Sequence, residues 1–230
     1  MQEAVSALQT VFEQIFRAAE KSGRDTDSVK LVGASKKKDA ALIRNFRRSG
    51  LKDFGENYVQ EFLGKHSDLV EEDINWHFFG HLQRNKVKYI IDKVDMIQSL
   101  DSVRLAKKIQ KEAEKKERSS VDVLIQVNVG KEDQKSGIMP SELPELISEI
   151  KNLKNLNLRG LMSLPPFLEP EELRPYHRRL RELRDRMLTE MKLDSGIFCE
   201  LSMGMSRDFA VAVEEGATIV RVGTLLFGER

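Results

Sequence analysis

Val29 to Lys38 reads VKLVGASKKK, an apolar run that turns abruptly into a lysine cluster. Val29, Leu31, Val32, Gly33 and Ala34 suit a strand buried on both faces, because a half-solvated strand alternates apolar with polar residues. That run ends at Ser35 and Lys36. A lysine at the point where a buried strand leaves the core can hold its amine in a dry pocket, lose its proton near neutral pH and attack a carbonyl. A solvated basic turn has the same local sequence, so these residues alone leave both readings open.

Upstream, Gln2 to Lys21 places Val5, Leu8, Val11, Phe12, Ile15, Phe16 and Ala19 at helical spacing, which predicts an amphipathic helix ahead of the first strand. Downstream, helices and strands alternate. A helix over Asp39 to Arg48, closed by Gly50, precedes a strand over Leu51 to Glu56 and a helix over Tyr58 to Leu69. Ile74 to Gly80 is a third strand followed by the amphipathic RNKVKYIIDKV. Val94 to Leu100 is a fourth, with a charged helix over Ser102 to Arg118 behind it, and Val121 to Val129, VDVLIQVNV, is a fifth. Ser141 N-caps a helix reaching Leu153. Leu156 to Leu164 is a strand stopped by Pro165 and Pro166, and Pro170 to Lys192 a long helix. Phe198 to Ser202, a helix over Asp208 to Glu215, and Thr218 to Val222 complete the series. Eight strands, each but the last followed by a helix, predict a single closed (β/α)8 TIM barrel with an extra N-terminal helix. An open doubly wound sheet would carry a glycine-rich turn after the first strand, where SKKKD stands instead. No proline-rich or Ser/Gly-rich linker interrupts the pattern, so residues 1–230 read as one domain.

Thirty-eight basic and 37 acidic residues leave a formal charge of +1, which gives no electrostatic footprint for nucleic acid or a membrane surface. The lone Cys199 rules out an internal disulfide, and its place in a strand suggests an inert packed thiol. The N-terminal stretch is too charged for a signal peptide, and no apolar run is long enough to span a bilayer, so a cytoplasmic protein is expected.

In such a barrel the reactive face lies where strands end. Those ends carry Lys36; Glu56 and Asn57; His81 and Gln83; Ser99; Asn128; Met162 and Ser163; Ser202 to Ser206; and Gly223 and Thr224. SMGMS and VGT are read as small-residue loops after strands seven and eight, with glycines that let backbone N–H groups approach an anion such as a phosphate. Arg221 stands inside the apolar TIVRVG and needs a partner there, either a structural carboxylate such as Glu200 or Glu56 or a ligand atom at the mouth. An imine-forming lysine, a phosphate clamp and an arginine facing the ring between them outline a pyridoxal phosphate pocket. His77 and His81 lie on a strand and its loop, which excludes helical metal-ligand geometry. Met162, Met203 and Met205 read as packing around the site, and Lys135 in DQKSG as a solvated loop lysine.

The blocks LVGASK, FGENYVQE, WHFFGHLQRNK, QVNVGKEDQKSG, GLMSLPP, LSMGMSRDF and EEGATIVRVGTLLFGER run almost end to end. On them the chain closely resembles the pyridoxal phosphate homeostasis proteins, the YggS or PROSC family, which are alanine racemase N-terminal domain-like. The resemblance implies a fold-type III barrel that binds pyridoxal 5'-phosphate as an internal aldimine on Lys36. It implies a phosphate held by Ser202, Met203, Gly204, Gly223 and Thr224, with Arg221 facing the pyridine nitrogen and Asn57 and His81 near the ring. Asp39 stands where relatives often have proline, and the chain stops slightly short of some relatives; neither feature touches the pocket.

The expected function is to buffer and deliver pyridoxal phosphate, and so to maintain vitamin B6 and linked amino-acid homeostasis, without catalytic turnover. The recipients would be apo-enzymes met transiently by a monomer. Two features favour this over an enzyme. An arginine opposite the ring nitrogen keeps it unprotonated, and no residues after Arg230 supply the second, tyrosine-bearing domain that similar racemases add. The alternatives are a racemase-like enzyme of low activity, with Lys36 as one base, and a barrel that binds another phosphorylated metabolite without an imine.

Overall fold

The computed structural model describes residues 2–130, 132 and 136–229. Eight parallel strands close into a barrel in chain order: β1 (Lys30–Ala34), β2 (Asp53–Glu56), β3 (Asn75–Phe78), β4 (Met96–Leu100), β5 (Val121–Gln126), β6 (Leu156–Met162), β7 (Glu200–Met205) and β8 (Ile219–Val222), which pairs back onto β1. The helices are α1 (Gln2–Lys21), α2 (Ala40–Arg48), α3 (Val59–Asp68), α4 (Val87–Ile90), α5 (Val103–Lys115), α6 (Leu143–Ile150), α7 (Pro170–Glu190), α8 (Phe209–Glu214) and α9 (Thr224–Phe227). The expected alternation is therefore present, with α1 ahead of it, and β8 is followed by a short helical turn where none was expected.

Strand alternation builds two cores. Val32, Phe79, Met96, Leu124, Met162 and Ile219 form a small cluster inside the barrel. Their sequence neighbours Leu31, Phe78, Ile97, Val123, Leu161 and Val220 belong to the larger core between barrel and helices. This double burial explains why the strands read as continuous apolar runs. On α1, Leu8, Val11, Ile15 and Ala19 are buried, and the helix packs against α8 and α9. Val5, Phe12 and Phe16 are exposed, because the buried stripe is narrower than the helical period suggested.

Several boundaries move for local reasons. Ser141 is not a cap: it lies in a 3-10 turn, Pro140–Glu142, ahead of α6, and the Glu142 carboxylate accepts the Met139 N–H instead (2.7 Å). Asp39 caps α2, its carboxylate accepting the Leu42 N–H (2.7 Å). Cys199 precedes β7 and is only partly buried, so it is not a packed strand thiol. The SMGM segment is strand rather than loop, because β7 runs on to Met205 with a register shift between Ser202 and Met205.

Gly160 marks where β6 shifts register against β5, at φ +154°, and a Cβ there would lie 1.9 Å from the Glu200 carbonyl oxygen. Backbone cannot step aside as a side chain can. Gly160→Ala should therefore lower unfolding stability by about 3 kcal/mol or more. Exposed Gly64 in α3 has open space around its Cβ position, and Gly64→Ala should raise stability by about 0.5–1 kcal/mol. Urea unfolding of both variants checks the pair.

Candidate functional site

The exit of β1 is held from outside the barrel. The Ser35 N–H donates to the Gly55 carbonyl (3.1 Å), which carries the ladder one residue past the strand. Lys36 follows in a turn in which the Lys38 N–H donates to the Ser35 carbonyl (3.1 Å), and it is half-buried. The Ser35 hydroxyl donates to Glu56 Oε1 (2.7 Å). Lys65 of α3 is buried beneath this loop. Its ammonium donates to the Ser35 carbonyl (2.7 Å), Glu56 Oε1 (2.7 Å) and Glu61 Oε1 (2.6 Å). Glu61 also accepts the N–H of Lys37, which sits at φ 61°. Lys38 donates to the carbonyls of Phe227 (2.9 Å), Gly228 (3.2 Å) and Glu229 (3.0 Å), tying the loop to the end of α9. Burial raises the Glu56 carboxyl above its ordinary value despite the bonds from Lys65 and Ser35, and its Oε2 has no partner among the described residues.

Arg221 points into the barrel from β8, beside Val32 in register. Neither Glu200 nor Glu56 pairs with it, contrary to the structural alternative. Its Nη1 donates to Ser202 Oγ and its Nη2 to the Ser163 carbonyl (2.8 Å). Burial pushes its pKa down to about 10, with Asp208 acting through space in the other direction. Ser202 in turn donates to Gln98 Oε1 (2.7 Å), Gln98 Nε2 meets His77 Nδ1 (2.9 Å), and His77 Nε2 meets Asp53 Oδ1 (3.0 Å). His77, Gln98 and Asp53 were not singled out as site residues from the sequence. The signal was weak: each is a polar residue on a short strand that carries a second polar residue, Glu56 in β2, Asn75 in β3 and Ser99 in β4.

The ends of β7 and β8 meet through Ser206, whose hydroxyl accepts the Gly223 N–H (3.0 Å). Asp208 shapes the intervening turn by accepting the Met205 N–H (2.8 Å) and binding buried His177 of α7 (2.9 Å). Gly204 has φ +88°, and a Cβ there would lie 2.6 Å from that of Ala212. Met203 is buried in the outer core, so only its backbone can face a ligand; Met162 packs inside the barrel, and Met205 is exposed at the end of β7. Gly223 is partly buried and Thr224 is exposed at the start of α9.

Asn57 and His81 share a cavity of about 250 Å³ at the mouth with Phe79, Gly80, Gln126, Ser136 and Leu164. Lys36, Arg221 and the β7 and β8 glycines do not line it. His81 is 63% exposed and lies 3.6 Å from Asp101. Lys135 lies outside the described residues.

The family model for the alanine racemase N-terminal domain matches residues 14–230. A pyridoxal phosphate homeostasis protein of Aquifex aeolicus is 52% identical over 228 residues, covering 99% of this chain and 98% of that one. The chain belongs to the pyridoxal phosphate homeostasis protein family. Among solved structures, this family member superposes on PipY of Synechococcus elongatus with pyridoxal phosphate bound at a TM-score of 0.81 and 34% identity, covering 94% of this chain and all (100%) of that one. Alanine racemase from Corynebacterium glutamicum shares the fold, with a TM-score of 0.69 and 14% identity over 98% of this chain and 62% of the racemase.

Removing one partner of a buried ion pair costs about 3–5 kcal/mol because the other charge is left uncompensated. Lys65→Met should destabilise the protein by roughly that amount at pH 7.5. The Glu56 carboxyl, already raised, rises further without Lys65. A carboxyl raised in the folded state opposes folding above that folded value, and the penalty vanishes once the group is protonated in both states. Urea titrations at pH 7.5 and near pH 4.5 should therefore show the gap between variant and parent shrinking as pH falls.

Proposed function

We propose that the chain acts as one barrel domain that binds pyridoxal phosphate covalently through Lys36 and holds it for other proteins in the cytoplasm, without turnover. The observation that carries this reading is Arg221, buried inside the barrel and hydrogen-bonded only to neutral groups, Ser202 and the Ser163 carbonyl, among the described residues. A buried cation without a carboxylate in contact is suited to a ligand acceptor such as a ring nitrogen. The Ser163 hydroxyl next to it is buried and unpartnered, which fits a polar ligand at the same place. With its pKa at about 10 the arginine still keeps its proton at neutral pH, so it donates to a pyridine nitrogen rather than protonating it.

Bound pyridoxal phosphate supplies an aldehyde for amine capture and an electron sink that depends on protonation of its ring nitrogen. Lys36 is proposed as the amine that would hold the cofactor through that aldehyde. Ser202, Met203, Gly204, Gly223 and Thr224 are proposed to hold the phosphate, chiefly by backbone at Met203 and the glycines, with Asn57 and His81 beside the ring. Relatives named for pyridoxal phosphate homeostasis, and PipY with the cofactor bound, support the ligand. The racemase alternative draws on shared fold, which hosts many chemistries.

Borohydride reduction of the loaded protein, followed by peptide mapping, should place the pyridoxyl group on Lys36, and Lys36→Ala should lose both the adduct and the yellow colour. An adduct on another lysine would overturn the assignment. A stereochemical assay with several amino acids should show no turnover at ordinary enzyme rates; sustained racemisation would establish the enzyme reading instead.

A further inference from the structure

The partners of Arg221 continue as a single file of hydrogen bonds through the barrel interior, drawing on five strands: Arg221 of β8, Ser202 of β7, Gln98 of β4, His77 of β3 and Asp53 of β2. Arginine can only donate and a carboxylate can only accept, so the two ends fix the polarity of the file. The arrangement that those ends require has Ser202 donating to Gln98, the Gln98 amide donating to His77 Nδ1, and His77 donating from Nε2 to Asp53. Every dipole then points the same way. Such chains polarise one another in a low-dielectric interior. The file ends at the first residue of β2, where Asp53 also accepts from Asn75 (3.3 Å) and lies 3.9 Å from Lys30. Burial alone would raise the Asp53 carboxyl; His77, Lys30 and Asn75 together hold it below its ordinary value. The charged group otherwise acting on Arg221 is Asp208, which is engaged by His177 and the Met205 N–H.

We propose that Gln98, His77 and Asp53 are positioning residues for Arg221, a directional hydrogen-bond file that shares its charge with a carboxylate at the far end of the barrel and so sets how strongly the guanidinium acts on a ligand atom at the mouth. This rests on the cofactor reading above only for the identity of that atom. Cutting the file leaves more positive charge facing the ligand, and a carboxylate nearer to Arg221 leaves less. Positive charge beside the ring disfavours protonation of the covalent C=N nitrogen.

The test is a pH titration of the visible band of the loaded full-length protein. Gln98→Leu should lower the midpoint by about half a unit or more, and Gln98→Glu should raise it by a similar amount. Asp53→Asn, which keeps shape and an acceptor oxygen, should move it in the direction of Gln98→Leu. A purely structural role predicts loss of stability without opposite signs at one position, so equal or same-sign shifts in the two Gln98 variants, with the adduct still on Lys36, would overturn the proposal. If the unaltered protein forms no adduct, the cofactor reading fails by itself, and the file is judged on the cofactor-free protein. There the guanidinium ¹H–¹⁵N signals of Arg221 should move in opposite directions in the two Gln98 variants, and signals unchanged in all three variants would overturn the file too.

Discussion

Closing eight parallel strands into a ring leaves an interior that only side chains can fill, and here that interior must accommodate an arginine. Arg221 is 3% exposed and cannot shed its proton at neutral pH. An isolated charge in such a place would cost far more than the domain's whole margin of stability. The barrel meets this constraint with polar groups: a backbone carbonyl accepts from the guanidinium, and a serine hydroxyl, a glutamine amide and an imidazole reach from it to Asp53. Polar residues inside the lumen follow from that single charge, and the apolar cluster of Val32, Met96, Leu124, Met162 and Ile219 fills the space beside them.

The two faces of the strands divide the labour. Inward positions carry the polar file and the lumen packing. Outward positions at the exit of β1 carry the Ser35, Glu56, Lys65 and Glu61 knot, which fixes the backbone on either side of Lys36. A half-buried lysine on a loop would ordinarily sample many rotamers and backbone states. Clamping residues 35 and 37 to a helix on the far side of the sheet narrows the backbone states of residue 36 without placing any group of the knot inside the lumen.

The architecture was legible because its signal is periodic and repeated. Apolar runs bounded by helices recur eight times, and VDVLIQVNV or TIVRVG can hardly be read otherwise. The ends of elements were less legible, since they depend on single contacts: Glu142 replaces Ser141 in capping the Met139 turn, and β7 runs through a glycine because Gly204 packs against α8. Lys36 and Arg221 stood out as charged residues in or at the end of apolar strands. Gln98, His77 and Asp53 did not, because their meaning lies in meeting one another across strands far apart in the chain. Lys65 was hidden for the same reason, as a charged residue on an amphipathic helix normally faces water.

Sharing a fold with alanine racemase fixes where a mouth lies and says little about what happens there. Turnover on an amino acid needs a second proton-transfer group held at fixed distance from the first and shielded from water. Among the described residues near the mouth, His81 is 63% exposed and Tyr58 is 59% exposed. Both are open to solvent, so neither is shielded from water. Lys36 and Arg221, by contrast, emerge from the most constrained parts of the molecule. Under the proposed reading, a site whose titratable rim is open to water would suit holding a reactive aldehyde more than driving a stereospecific proton transfer.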